Sequence, residues 1–323
     1  MTRLFVLVSL FVWGTANLWA QEMEFVPAGV VRFKVHQETH SYDRMSQHVR
    51  TTRSLLSDEL AFQDLEDAAV SGDMTQSETR QVVDLSYGWS DFLNVGLVVP
   101  QVSRQRKSNL SYDPNDSQAA AFAASRPDAQ SSGLGDVELY SWLRHWHNDY
   151  NLFETGFFYR HNTGAAHYDD ASQLALGYGL PQVGARLAWD AYLGGSRIMF
   201  RTRIQMGYYI SQKTQNEAGQ EVTAAKANQN WVKSGINQQW GPTHWGLEMQ
   251  YDEVSETSLD NIGLGDNRHG ASLRFYLGAG SLRALESDPS TFPWMVEAGV
   301  TQAYWGTNLP MGNQLDFSMV LYF

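Results

Sequence analysis

Apolar residues fall at every second position in stretch after stretch of this chain, and a period of two is the mark of a β-strand with one greasy face. In "RIMFRTRIQMGYYI", Ile198, Phe200, Thr202, Ile204, Met206, Tyr208 and Ile210 share one face, and Arg197, Arg201, Arg203 and Gln205 share the other. "GDVELYSWLR" sets Val137, Leu139, Ser141 and Leu143 against Asp136, Glu138, Trp142 and Arg144. "HWGLEMQYD" sets Trp245, Leu247, Met249 and Tyr251 against His244, Glu248, Gln250 and Asp252. "HGASLRFYL" sets Ala271, Leu273, Phe275 and Leu277 against Ser272, Arg274 and Tyr276. Each stretch is about ten residues long, the length a tilted strand needs to cross a bilayer, whereas strands of soluble sandwiches run to about five or six.

The pattern predicts strands at 30–40, 78–89, 93–106, 135–145, 150–161, 182–193, 197–210, 229–240, 243–253, 268–277, 292–304 and 312–323. The connections alternate in length. Ser90-Asp91, "WHND", "GGS" and "GP" are short, while 41–77, 107–134, 162–181, 211–228, 254–267 and 305–311 are longer. Short turns on one side and long loops on the other are the asymmetry of an outer-membrane β-barrel. The join 278–291 is long for the short side, and the first long loop has room for a further hairpin, which would raise the count from twelve to fourteen. An even count places both ends on the short-turn, periplasmic side. The fold expected is all-β: a transmembrane antiparallel up-and-down barrel of about twelve strands over residues 21–323. The competing reading is a soluble β-sandwich with an aromatic core.

Mean hydropathy is only −0.38, as a barrel requires, because half of each strand faces inward. The N-terminus, "MTRLFVLVSLFVWGTANLWA", has a basic start at Arg3, an apolar stretch from Leu4 to Trp13 and Ala20 before Gln21. This layout is that of a secretory signal peptide over residues 1–20. There are no cysteines, which removes thiolate chemistry and cysteine zinc sites. A net charge of −12 argues against nucleic acid as a partner.

The last strand, "GNQLDFSMVLYF", keeps the alternation through Phe323. A barrel has no free edge, so this strand is expected to pair with the first and be held by ladder hydrogen bonds. Phe323 resembles the terminal aromatic that outer-membrane barrels present to their insertion machinery. Aromatics also crowd the strand ends: Tyr87, Trp89, Phe92, Trp146, Tyr150, Trp240, Trp245, Trp294, Tyr304 and Trp305. Rings at the headgroup level of a membrane account for them.

With the apolar faces outward, the lumen is charged. The pore-lining candidates are Arg144, Arg160, Arg186, Arg197, Arg201, Arg203, Asp136, Glu138, Glu154 and Glu248, within a larger set that adds Arg32, Lys34, Lys233, Arg274, Asp84, Asp190, Asp252, Glu297 and Asp316. The two signs nearly balance, so the interior is expected to neutralise itself through ion pairs. Either these pairs fill a narrow barrel, or they line a polar pore in which Arg186, Arg197, Arg201 and Arg203 select the solute. The loops are polar and acidic and face lipopolysaccharide. In the first of them, "SDELAFQDLEDAA" has the start of a short helix capped by Ser57.

"SSGLGDVELYSWLRHW" (131–146) opens a strand with Gly-Leu-Gly-Asp after a long loop, followed in order by "YRHNTG" (159–164) and "LALGYGLPQVGARLAW" (174–189). In this order the motifs resemble the phenol meta-pathway family of outer-membrane transporters, with Asn162 where that family commonly has proline. The resemblance implies passive passage of small hydrophobic or aromatic solutes, through the lumen or a lateral opening. A second "GLGD" spans Gly263–Asp266. The glycines are expected to supply unusual backbone angles at the loop-to-strand corner. Long-chain fatty acid transporters are more distant in style. They carry an N-terminal plug, for which residues 21–29 are too few, and no plug domain of a TonB-dependent receptor fits the length.

The alternatives are a closed structural or interaction barrel and a lipid hydrolase. Outer-membrane phospholipases also resemble twelve-stranded barrels, but no His-x-Ser-Asn arrangement occurs, and "RHNTG" offers only Thr163 beside His161. His161, His167, Asp169 and Asp170 match no zinc spacing. No catalytic centre, metal or cofactor is expected.

Overall fold

The computed structural model describes residues 26–45, 71–124, 127–148, 150–165, 174–177, 179–193, 198–215, 221–259, 262–263, 267–281, 292–307 and 310–323. The proposed leader and the Ser57-capped helix lie outside them, as do Arg197, His167, Asp169, Asp170 and Asp266. The elements are β1 (Val31–Met45), β2 (Ser71–Gly88), β3 (Leu93–Ser111), α1 (Ser117–Ala124), β4 (Ala129–Leu134), β5 (Val137–His147), β6 (Asn151–His161), β7 (Gln182–Tyr192), β8 (Ile198–Tyr209), β9 (Gln212–Gln215), β10 (Glu221–Lys226), β11 (Asn228–Trp240), β12 (Thr243–Val254), β13 (Thr257–Leu259), β14 (Ile262–Gly263), β15 (Arg268–Gly280), β16 (Trp294–Thr307) and β17 (Pro310–Tyr322).

Twelve of these strands close into one antiparallel ring, in the order β1, β2, β3, β5, β6, β7, β8, β11, β12, β15, β16, β17 and back to β1. The seam is the pairing of first and last strands, running from Arg32 opposite Tyr322 to Met45 opposite Pro310. At its lower end Phe323 and Val31 exchange both backbone hydrogen bonds, at 2.8 and 3.0 Å. Among the described residues each strand of the ring is paired on both sides, which is what a span through hydrocarbon demands.

Side chains obey the pleat. On β17, Leu315 is 60 % exposed and Phe317 51 %, whereas Asp316 is 5 % and Ser318 3 %. The outward apolar run from Leu315 to Phe323, at about 3.4 Å per residue and a tilt near 40°, covers roughly 20–25 Å, close to the apolar band of an outer-membrane barrel. The short turns follow local chemistry. Gly241, at φ +58°, turns β11 into β12, and Ser90 Oγ accepts the Leu93 N–H at 3.1 Å between β2 and β3. The long short-side join is clamped at its base by Ser281, whose hydroxyl donates to Phe292 O at 2.6 Å and accepts from the Trp294 N–H at 3.0 Å.

β1, β2 and β3 outrun their expected limits furthest. β1, β2 and β3 continue above the apolar band with Gln37, Gln81 and Gln101 side by side in one register row. Their outward faces turn polar there, with Gln37, Gln81 and Gln101 exposed. β3 then takes two partners in turn: β5 along Leu93–Val98 and β4 along Gln101–Arg106. The break falls at Pro100, which has no N–H to give; its carbonyl accepts the Gly135 N–H at 2.8 Å. The loops expected at 211–228 and 254–267 contribute a small separate sheet, ordered β14-β13-β10-β9.

Candidate functional site

The barrel interior is the candidate site. Asp136, Glu138 and Arg144 along β5, Glu154 and Arg160 on β6, Arg186 on β7, Arg201 and Arg203 on β8 and Glu248 on β12 all occupy the inward parity of their strands, buried or half-buried.

They meet in clusters. Glu138 is held between two guanidiniums, Arg160 Nη2 at 2.9 Å and Arg186 Nη2 at 2.7 Å. Gln182 and Gln205 accept further bonds from the same two arginines, each at 2.8 Å. Asp190 is held in the same way, by Arg203 Nη1 at 2.6 Å and Arg201 Nε at 3.3 Å. Across the barrel the ratio inverts. Arg274 meets three carboxylates: Glu297 at 2.6 Å, Asp316 at 2.5 Å and Glu248 at 3.4 Å. His244 Nε2 lies 3.3 Å from Glu297. The charges expected to neutralise one another are therefore sorted by strand, with cation excess on β5–β8 and anion excess on β12 and β15–β17.

One-to-one pairs complete the interior. Arg32 Nη2 donates to Asp84 Oδ2 at 2.8 Å and to the Tyr140 hydroxyl at 3.1 Å, and that hydroxyl donates to Asp84 Oδ1 at 2.7 Å. Arg144 lies 3.6 Å from Glu154. On β1, Glu38 lies between His36 at 2.9 Å and His40 at 3.6 Å. Water reaches part of this surface: the side chains of Arg160, Arg186, Arg201 and Arg274 keep 14–21 % exposure. A charge desolvated without compensation costs several kcal/mol, so a solvated lumen is the state these side chains favour.

The three motifs singled out in the sequence come together at the upper end. The Thr163 hydroxyl donates to Gly135 O at 2.7 Å and accepts the Val137 N–H at 2.9 Å. Asp136 Oδ1 accepts the Gly164 N–H at 3.0 Å. Asn162 Nδ2 donates to Gly179 O at 3.2 Å. The stretch from Leu174 to Pro181 turns inward against β3 and β4, where Leu174, Ala175, Leu176 and Leu180 are buried. Arg104 Nη1 donates to Ala175 O at 2.6 Å, and Ser131 Oγ accepts the Leu174 N–H at 2.8 Å.

Gly133 and Gly135 have a different role from the one expected. Among the described residues only Gly29, Gly179 and Gly241 have positive φ. The GLGD glycines instead make room: a Cβ on Gly133 would lie 2.9 Å from Leu176 Cδ1, and one on Gly135 3.0 Å from Val102 Cγ2 and 3.3 Å from Leu176 O.

The lower mouth holds something the sequence reading missed. Residues 26–30 form a hook: Val26 and Val30 pack with Met295, Val320 and Tyr322, all buried. The Gly29 N–H donates to Gly88 O at 2.8 Å and the Val30 N–H to Pro27 O at 3.1 Å. Pro27 followed by Gly29 is a turn signal that marked the reversal.

Hydrolase geometry is not assembled at His161. Its Nδ1 pairs with the Tyr159 hydroxyl at 3.2 Å, and Thr163 is engaged by Gly135 and Val137.

No family model matches the chain, and no curated protein matches it in sequence. Among solved structures, the fold is similar to the COG4313 outer membrane channel from Pseudomonas putida F1, with 14 % identity, 94 % of this chain and 100 % of that chain covered, and a TM-score of 0.67. More remote are the translocator domain of autotransporter NalP from Neisseria meningitidis (9 % identity, 98 % and 96 % covered, TM-score 0.45) and the KdgM porin (7 % identity, 90 % and 99 % covered, TM-score 0.40). At this level of identity the first likeness shows the fold: a closed twelve-stranded antiparallel barrel of the outer-membrane type.

Proposed function

We propose that the protein is a passive outer-membrane channel for small solutes, with no catalytic role. The observation that carries this reading is the solvent-reached set of charged side chains on the inward face, which a barrel packed shut would have no reason to keep. Solutes enter beside the inward Leu174–Pro181 stretch, pass the arginines of β6–β8, and leave past the hook at Val26. The aromatic or hydrophobic solutes implied by the family resemblance find apolar contact at Leu174–Leu180, at the inward cluster of Tyr140, Trp142 and Phe158, and at the hook, with charged side chains between them. Lipopolysaccharide is the neighbour of the polar upper wall, and Phe323 is the residue we assign to the insertion machinery.

Conductance in a planar bilayer tests the reading. Discrete current steps are expected, and Arg201→Glu is expected to move their selectivity toward cations. A closed structural barrel is the second reading, favoured by the fully buried Val26, Met295 and Val320 at the lower mouth. Absence of both current and liposome swelling would establish it in place of the channel.

A further inference from the structure

We infer that the channel prefers small zwitterionic solutes over neutral solutes of the same size, an inference that rests on the channel reading above. The residues joined in the two ion-pair clusters of β5–β8 are Glu138 and Asp190 with Arg160, Arg186, Arg201 and Arg203: two negative and four positive, net +2. The cluster on β12 and β15–β17 has Arg274 with Glu248, Glu297 and Asp316: one positive and three negative, net −2. Of the other inward residues, Arg144 and Glu154 pair with each other, Asp136 lowers the first group to +1, and Lys233 on β11 and Asp252 on β12 each add to the sign of their side.

The two groups adjoin at one level of the wall, on either side of β11. Gly235 on β11 is opposite Arg201 on one side and Glu248 on the other. With strands about 4.8 Å apart, the backbones carrying those two charges are about 10 Å apart. No side chain stands between them, because a Cβ at Gly235 would lie 2.8 Å from Glu248 Cγ. The arrangement sets a transverse field across a low-dielectric tube, where charge is screened less than in bulk water. A solute with a carboxylate and an ammonium a few ångströms apart aligns with that field and gains at both walls. A single ion gains at one wall and loses at the other, and a neutral molecule gains at neither.

The experiment compares β-alanine with 1,3-propanediol in a proteoliposome swelling assay and reads the ratio of the two rates, so that a change in pore area cancels. At about 10 mM salt the wild-type ratio is expected to exceed that of bare diffusion by about threefold or more. In 1 M salt, where the Debye length falls from about 30 Å to about 3 Å, the ratio is expected to collapse toward bare diffusion without any mutation. The double variant Glu248→Gln, Glu297→Gln, which leaves Arg274 and Asp316 one to one, is expected to lose the preference at low salt. A ratio equal to bare diffusion at low salt, or one indifferent to both salt and the variant, overturns the inference and leaves the channel standing. No flux of either solute overturns the channel reading and this inference together.

Discussion

Asp136 Oδ1 takes the backbone N–H of Gly164 at 3.0 Å, and this bond ties the break in the barrel wall to the chain that turns inward. Asp136 sits where β4 gives way to β5. Gly164 starts the stretch that returns as Leu174–Pro181 inside the lumen. A hydrogen bond to a charged acceptor contributes about 1.5–3 kcal/mol, enough to decide whether a short inward stretch stays docked. Asp136→Ala is therefore expected to undock it, raising single-channel conductance and lowering the unfolding temperature in detergent. Gly177→Ala is expected to do the same by another route, because its Cβ would strike the Asp136 carboxylate. Unchanged conductance in both variants would mean that the inward stretch does not obstruct the lumen.

Arg274 is joined to Glu248, Glu297 and Asp316 at once. Arg274→Met leaves these carboxylates facing one another. Breaking such a buried arrangement costs about 3–5 kcal/mol, read as a lower midpoint in urea unfolding into lipid vesicles. Adding Glu297→Gln is expected to return part of that loss, since it relieves repulsion. If the second substitution worsens stability, the His244 contact at 3.3 Å holds Glu297 more strongly than the neighbouring carboxylates repel it.

Tyr140→Phe removes the hydroxyl that joins Arg32 to Asp84 while keeping the ring. A loss of about 1–2 kcal/mol is expected, with no change in ion selectivity because the Arg32–Asp84 pair at 2.8 Å remains. Urea midpoint and reversal potential, measured on the same preparation, check the two parts separately.

Val26→Ser introduces a hydroxyl into the packed cluster with Met295, Val320 and Tyr322. Burying an unmatched hydroxyl costs about 1–3 kcal/mol, so the hook is expected to leave the mouth more often. Its signature in recordings is longer open dwell times, with the selectivity unchanged. Identical dwell times would place the hook outside the conducting path.

The alternation of apolar residues made the barrel legible, because period two is a local property and lipid on one side enforces it. The turns at Ser90-Asp91 and Gly241-Pro242 were legible because the alternation breaks there, while "GGS" lies outside the described residues. Strand limits failed where the outward side chains stopped being apolar: at Gln37, Gln81 and Gln101 the strands continue, but nothing apolar marks them. GLGD, HNTG and the Leu-Ala-Leu-Gly stretch stood out singly, yet their meeting depends on the register at Pro100 and Gly135, which no local pattern encodes. The same alternation sets the inward parity of the charged residues. Their sorting into cation-rich and anion-rich clusters was not visible, since strand order had first to bring Glu248, Glu297 and Asp316 around Arg274. The hook at Val26 escaped because its apolar partners, Met295, Val320 and Tyr322, come from the far end of the chain.

The account stands on alternate residues meeting lipid and lumen. The chain has no cysteine, so single cysteines placed from Leu315 to Leu321 can each carry a unique spin label in bilayers. Oxygen accessibility is expected to be high at Leu315, Phe317, Met319 and Leu321, and low at Asp316, Ser318 and Val320. The inverse phase, or no period of two, would contradict it.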